Sequence, residues 1–184
     1  ALRGGQTGLP DDDALRLGRR THRLLEHLPG IPTDRREALA IALMSTGEDA
    51  MSAEDARRLL ADVAPVLDNA DLAWLFDGQA LAEVEISATL TELGGDRISG
   101  AIDRLLVGPD RIMAVDFKTN TVVPDKPADT PEGILRQMGA YLAALEQIYP
   151  ERHVGVAVLW TRAPLLMPLP RDIVRAALLR PATS

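Results

Sequence analysis

The chain has 184 residues, 46% of them hydrophobic and 26% charged, an ordinary balance for a globular protein large enough to bury a core. It contains no cysteine, which excludes disulfides, thiolate zinc sites and an iron–sulfur cluster. Its net charge of −7 argues against a protein that captures nucleic acid unaided, since neutralising phosphates supplies most non-specific affinity.

The start, without methionine and followed by "RGGQTGLPDDD", reads as a cut from a longer polypeptide, with residues 1–12 a flexible leader. Residues 13–184 are expected to form one domain, helical over 13–78 and sheet-based over 79–184. "DDALRLGRRTHRLLEHL" has helical spacing with Leu17, Leu24, Leu25 and Leu28 on one side, and Pro29-Gly30 stops it. Thr33 is placed as the N-cap of a helix running to about Met44. Ser52 and Asp55 have capping-box spacing before "ARRLLADVAPVL", which Asn69-Ala70-Asp71 breaks. Trp74, Phe76 and Trp160 are assigned to the core.

The period then changes. "ALAEVEISATL" (80–90) alternates as a strand, and Gly94-Gly95 turns the chain into a hairpin over 98–118. "VVPDKPADTPEG" is a loop that no regular element can cross. Thr130 and Pro131 are read as the N-cap and first residue of the helix "EGILRQMGAYLAALEQIY", which ends at Pro150. "HVGVAVLW" is a continuous apolar run typical of a central strand, "PLLMPLP" an edge strand, and "RDIVRAALL" a closing helix. The order predicts an α/β sandwich, a mixed central sheet flanked by helices with a helical part in front. The longest apolar runs are far too short to span a bilayer, and nothing in the sequence argues for secretion.

The hairpin "ISGAIDRLLVGPDRIMAVDFKTN" poses a problem of charge. With a turn at Gly108-Pro109-Asp110-Arg111, Val107 pairs with Ile112, Leu105 with Ala114, and Asp103 with Asp116. Opposed residues share a face at about 4.5–5.5 Å between Cβ atoms, and alternation returns Lys118 to that face. Two facing carboxylates repel unless something positive lies between them. A divalent cation together with the lysine meets that need.

An acidic residue followed by Asp-x-Lys on a hairpin resembles the PD-(D/E)xK nuclease superfamily, and within it the RecB-type nuclease domains of bacterial helicase–nucleases. Further matches stand in order: "GRRTHRLLE" for a G-xxx-H-xxx-E helix (Gly18, His22, Glu26), "AEVEI" for a strand glutamate at Glu83, "GAIDRLL" for a Gly-x-x-Asp ending at Asp103, and "QMGAY" for a Q-xxx-Y pair at Gln137 and Tyr141. "HRLLEHLPG" and "ISGAIDRLLV" are most similar to AddA-type subunits. The resemblance runs from about residue 17 to 161 and implies a restriction-endonuclease-like core. It also implies a bacterial, cytoplasmic and nucleoid-associated setting.

The implied activity is hydrolysis of single-stranded DNA during double-strand-break repair, with an AddB-type partner subunit. A helicase motor would use ATP to deliver the strand; that motor's G-xxxx-G-K-[ST] motif does not occur here. Phosphodiester hydrolysis needs an activated water, neutralised charge at phosphorus and a stabilised leaving oxygen, and Mg²⁺ (or Mn²⁺) serves all three. The resemblance implies His22, Asp103, Asp116 and the Phe117 backbone carbonyl as ligands. Lys118 orients or deprotonates the water, or stabilises charge; beside two carboxylates it is expected to stay protonated, which favours positioning and charge stabilisation. Glu83 holds a metal-bound water, with Glu85 as a substitute. Gln137, Tyr141, Arg19, Arg20, Arg23 and Arg136 are expected on the DNA side. The rival readings are a non-catalytic module that contacts DNA or a partner, and a free-standing exonuclease.

Overall fold

The computed structural model describes residues 9–181. The chain divides into two compact units, Ala1–Leu67 and Asp68–Ser184. Of the leader expected over 1–12, residues 1–8 lie outside the described part.

The first unit is helical: α1 (Leu9–His27), α2 (Thr33–Leu43) and α3 (Ala53–Leu67). Helix α1 already includes residues 9–12, which the sequence had put in the leader. Pro10 is tolerated there because the N–H it lacks would find no partner in a first turn. Gly30, with φ +76°, ends the α1 segment by turning left-handed, as the Pro-Gly pair foretold. Ser52 Oγ accepts from the Asp55 N–H at 3.1 Å and donates to the Asp55 carboxylate at 2.7 Å, the box expected at the start of α3. The N-cap of α2 is Pro32 rather than Thr33, because the extended Pro32 carbonyl already accepts from Arg35 N. Leu24, Leu25, Leu28, Ala40, Ala56, Val63 and Val66 are buried.

The second unit begins with a short 3-10 turn (Ala70–Leu75), capped by Asn69 accepting from Asp71 N at 2.9 Å. The division therefore falls after Leu67 rather than after residue 78. The reason is Phe76, whose ring lies 6.1 Å from Phe117 in the sheet and beneath the Arg104 guanidinium at 5.3 Å. Five strands follow: β1 (Ala80–Leu90), β2 (Asp96–Val107), β3 (Arg111–Lys118), β4 (His153–Trp160) and β5 (Leu165–Leu169). They lie in the order β1-β2-β3-β4-β5, with β3 and β4 parallel and the other neighbours antiparallel. Helix α4 (Glu132–Ile148) links the parallel pair, and α5 (Arg171–Leu179) closes the chain. Strand β4 is interior and almost wholly buried, while β5 is an edge that accommodates Pro168.

The core lies between the sheet and α4, built from Leu105, Ile112, Ala114, Val154, Val156, Val158 and Trp160 against Leu135, Met138, Leu142 and Leu145. Trp160 is buried as expected, but Trp74 is exposed, its indole N–H donating to the Asp71 carbonyl. Pro131, not Thr130, caps α4, since its carbonyl accepts from Ile134 and Leu135. Helices α4 and α5 touch at Gly139, where a Cβ would stand 2.3 Å from the Val174 carbonyl oxygen. Among the described residues no helix is long and apolar enough to cross a membrane.

Candidate active site

Three facts about β2 define the site. The β2–β3 hairpin keeps the register read from the sequence, Val107 with Ile112 and Leu105 with Ala114, closed by Gly108 N–H on the Arg111 carbonyl at 2.8 Å. The ladder then stops at Arg104 with Val115. On the other side of β2, pairing with β1 passes from Ala82–Arg104 to Val84–Ile102, and Glu83 and Asp103 are left out. Asp103 thus sits where both ladders lapse.

The alternation of β2 slips at the same point. Ile98 and Ile102 join the core cluster under α4, and so does Leu105, three residues after Ile102. Opposite the slip, Glu83 has φ +49°, a left-handed conformation that side chains other than glycine rarely adopt.

The opposed acids expected from the register are therefore not held as a simple ladder pair. The Asp103 carboxylate accepts from the Phe117 N–H at 2.6 Å, so a side chain replaces the backbone carbonyl in holding β3. Asp116 carries the other positive contact, Lys118 Nζ at 2.6 Å from Oδ2. The i, i+2 parity of the two residues brings them together as expected. Asp103 is 6% exposed and Asp116 4%, so neither charge is diluted by bulk water.

Helix α4 completes the site. Gln137 Oε1 accepts from Lys118 Nζ at 3.0 Å, Gln137 Nε2 donates to Tyr141 Oη at 3.1 Å, and that hydroxyl donates to the Ala101 carbonyl at 2.9 Å. Tyr141 is 4% exposed and bonded internally, so it lies within the core rather than on a DNA-facing surface. Its burial raises the phenol above its ordinary pKa, and the negative fields of Asp116, Asp103 and Glu83 raise it further, against the opposing Gln137 bond. Glu83 is exposed, as is Glu85, which pairs regularly with Ala101.

Several contributors were not singled out by sequence reasoning. Thr161, directly after β4, fixes the backbone of Lys118, its N–H and hydroxyl both directed at the Lys118 carbonyl at 3.0 and 3.3 Å. Arg104 is buried over Phe76, which backs Phe117. Gly100 lies against Tyr141, where a Cβ would come within 2.9 Å of the hydroxyl. Only the Gly-x-x-Asp spacing before Asp103 hinted at it.

The remaining expected residues are carried by α1 and α4. In the helical unit, His22 Nδ1 is 2.7 Å from the Gly18 carbonyl. A carbonyl only accepts, so Nδ1 carries the proton and the lone pair of the neutral ring is on Nε2. Arg19 makes a bidentate pair with Asp49 at 2.6 and 2.7 Å, and Arg20 donates to the carbonyls of Asp49 and Ala50. The pairing holds Arg19 above and Asp49 below their ordinary pKa values. Arg23 is exposed, and Arg136 on α4 donates to the Pro181 carbonyl.

Among the described residues no three His, Asp or Glu side chains converge closely enough to hold a metal ion. The donor chemistry at the hairpin fits a hard cation nonetheless: two buried carboxylates on adjacent strands, with no sulfur. An acid–acid–lysine set thus stands on a sheet hairpin of an α/β domain, steadied from a crossover helix. The model of the PD-(D/E)XK nuclease superfamily matches residues 3–169, and the chain belongs to that superfamily. Its mixed sheet and flanking helices are the restriction-endonuclease-like fold expected. No curated protein matches the chain significantly.

Proposed function

We infer that this chain is the nuclease part of an AddA-type helicase–nuclease, hydrolysing single strands of DNA in double-strand-break repair. The observation that carries the reading is the pair of buried carboxylates, Asp103 and Asp116, with the half-buried Lys118 ammonium against Asp116, in a chain of this superfamily. A module freed from catalysis has no need to bury two acids and then hold a lysine against one of them.

Mg²⁺, or Mn²⁺ in its place, would be held by Asp103 and Asp116 with the Phe117 carbonyl, and would supply Lewis acidity and a more acidic water. His22 is the nitrogen ligand that the family resemblance adds, and its Nε2 lone pair supports that role. Lys118, hydrogen-bonded to Gln137 and ion-paired with Asp116, places an ammonium beside Asp116 to orient water and to stabilise charge building on the phosphate. Glu83 would hold a metal-bound water. Arg23 and Arg136 guide phosphates over short distances. Arg19 and Arg20 do so only by exchanging their contacts with the Asp49–Ala50 loop. The net charge of −7 supports delivery of the strand by an ATP-driven motor, with an AddB-type subunit as partner.

The test is cleavage of an end-labelled single strand. Mg²⁺ should support cutting, Ca²⁺ should support binding without cutting, and Asp116→Ala should abolish the Mg²⁺-dependent cleavage. Wild-type rates in Asp116→Ala would remove the assignment.

A further inference from the structure

The chain of hydrogen bonds behind Lys118 has only one consistent direction. The Ala101 carbonyl can only accept, so the Tyr141 hydroxyl must donate its single proton there. Its oxygen is then left as an acceptor, and the Gln137 group facing it must be the NH₂. The Gln137 carbonyl oxygen is thereby turned to Lys118, whose ammonium has donors only. With the amide flipped, NH₂ would face NH₃⁺ and oxygen would face a phenol whose proton is already committed.

The phenol reaches Ala101 because residue 100 has no side chain. A Cβ on Gly100 would lie 2.9 Å from Tyr141 Oη and 3.1 Å from Cε1. The ring is rigid and bonded at both partners, so it cannot yield as the end of a flexible side chain would.

We propose that Gly100 and Tyr141 are positioning residues that act through Gln137: the glycine opens the slot, the phenol fixes the amide, and the amide fixes the Lys118 ammonium. Neither touches substrate. The raised phenol pKa agrees with a hydroxyl that keeps its proton as a donor. The role rests on the nuclease reading above and deepens it, giving the Gly-x-x-Asp and Gln-x-x-x-Tyr spacings one shared purpose.

Three variants of the full chain test it: Tyr141→Phe, Gly100→Ala, and the two combined. Tyr141→Phe should lower kcat for a single-stranded oligonucleotide about 10- to 100-fold, as expected for a misplaced reacting group, with KM unchanged. Gly100→Ala should lose activity similarly and also melt at a lower temperature. Removing the hydroxyl relieves the closest clash, so the double variant should regain melting temperature but not kcat. A purely structural role predicts instead that activity follows stability. A second readout is independent of cleavage: the two Gln137 side-chain amide protons should give separate NMR signals with slowed exchange in the wild type and collapse to solvent-like values in Tyr141→Phe. If the wild-type chain cuts nothing, the nuclease reading falls while those signals still decide the latch. Wild-type kcat in Tyr141→Phe, or amide signals unchanged by it, would overturn the proposal.

Discussion

Asp103 has two separable jobs, and two substitutions pull them apart. Its carboxylate is both a proposed metal ligand and the acceptor for the Phe117 N–H at 2.6 Å, in a residue that is 2% exposed. Asp103→Ala leaves that N–H without its acceptor where water reaches poorly, at a cost of about 1–3 kcal/mol. Relief of repulsion with Asp116 offsets part of this, because both acids are buried. At roughly 2–4 °C per kcal/mol for a chain of this size, the melting midpoint without metal should fall by about 2–10 °C. Asp103→Asn has the same shape, keeps an oxygen for Phe117, and turns a repulsive neighbour of Asp116 into an amide donor. It should melt close to the wild type. Both variants should lose Mg²⁺-dependent cleavage, since an uncharged side chain is a poor ligand for a hard cation. The assays are thermal melts by circular dichroism in chelator and cleavage of a labelled single strand in Mg²⁺. An Asp103→Asn that cuts at the wild-type rate would refute the ligand role. An Asp103→Ala that melts like the wild type would refute the strand-holding role.

Other predictions follow from charge and conformation. Burial and the neighbouring carboxylates raise the Tyr141 pKa above the ordinary tyrosine value of about 10. Just above that pH the unfolded chain loses a proton that the folded chain keeps, so stability should fall as pH rises. Urea midpoints at about pH 9 and pH 11 should show a shallower alkaline loss in Tyr141→Phe than in the wild type, and equal slopes would contradict the shift. At −7, the isolated chain should bind a short single strand weakly in Ca²⁺ at physiological salt, and more weakly as salt rises. Nanomolar affinity by fluorescence anisotropy would defeat the delivered-strand reading. Glu83→Gly should hold or raise the melting temperature while reducing cleavage, because glycine adopts φ +49° without strain; a lower melting temperature would show that the carboxylate itself supports the fold.

Much of the architecture was legible because it depends on local periods and punctuation. Strand β1 spans the alternating run 80–90, and the hairpin register follows from counting outward from Gly108-Pro109. Counting failed at Asp103 because a ladder can lapse without inserting a residue, and no local pattern marks that. Side-chain preference points to Thr33 and Thr130 as caps, yet the neighbouring prolines occupy those positions with backbone already extended. The acid–acid–lysine set and the Gln137–Tyr141 spacing were visible as residue types. Their connection was not, since it runs through the Ala101 carbonyl and an empty Cβ position at Gly100. Arg19 and Arg20 showed their charge in the sequence but not their engagement by a loop some 30 residues further along the chain.

The lapse in pairing at Asp103 also distinguishes two glutamates that the sequence left equivalent. Glu83 and Glu85 are two apart on one strand and both exposed, so alternation alone puts them on one side. Glu85 lies in regular ladder opposite Ala101, with nothing unusual in its backbone. Glu83 falls at the gap opposite Asp103 and holds φ +49°, a conformation that costs about 1–3 kcal/mol outside glycine and persists only where the surroundings enforce it. Its field also reaches Tyr141 alongside those of Asp116 and Asp103. A glycine at position 83 would supply the backbone bend more cheaply but no carboxylate. On the nuclease reading, the strain at Glu83 has a use: it breaks the ladder beside Asp103 and adds a third acidic group near the two buried ones.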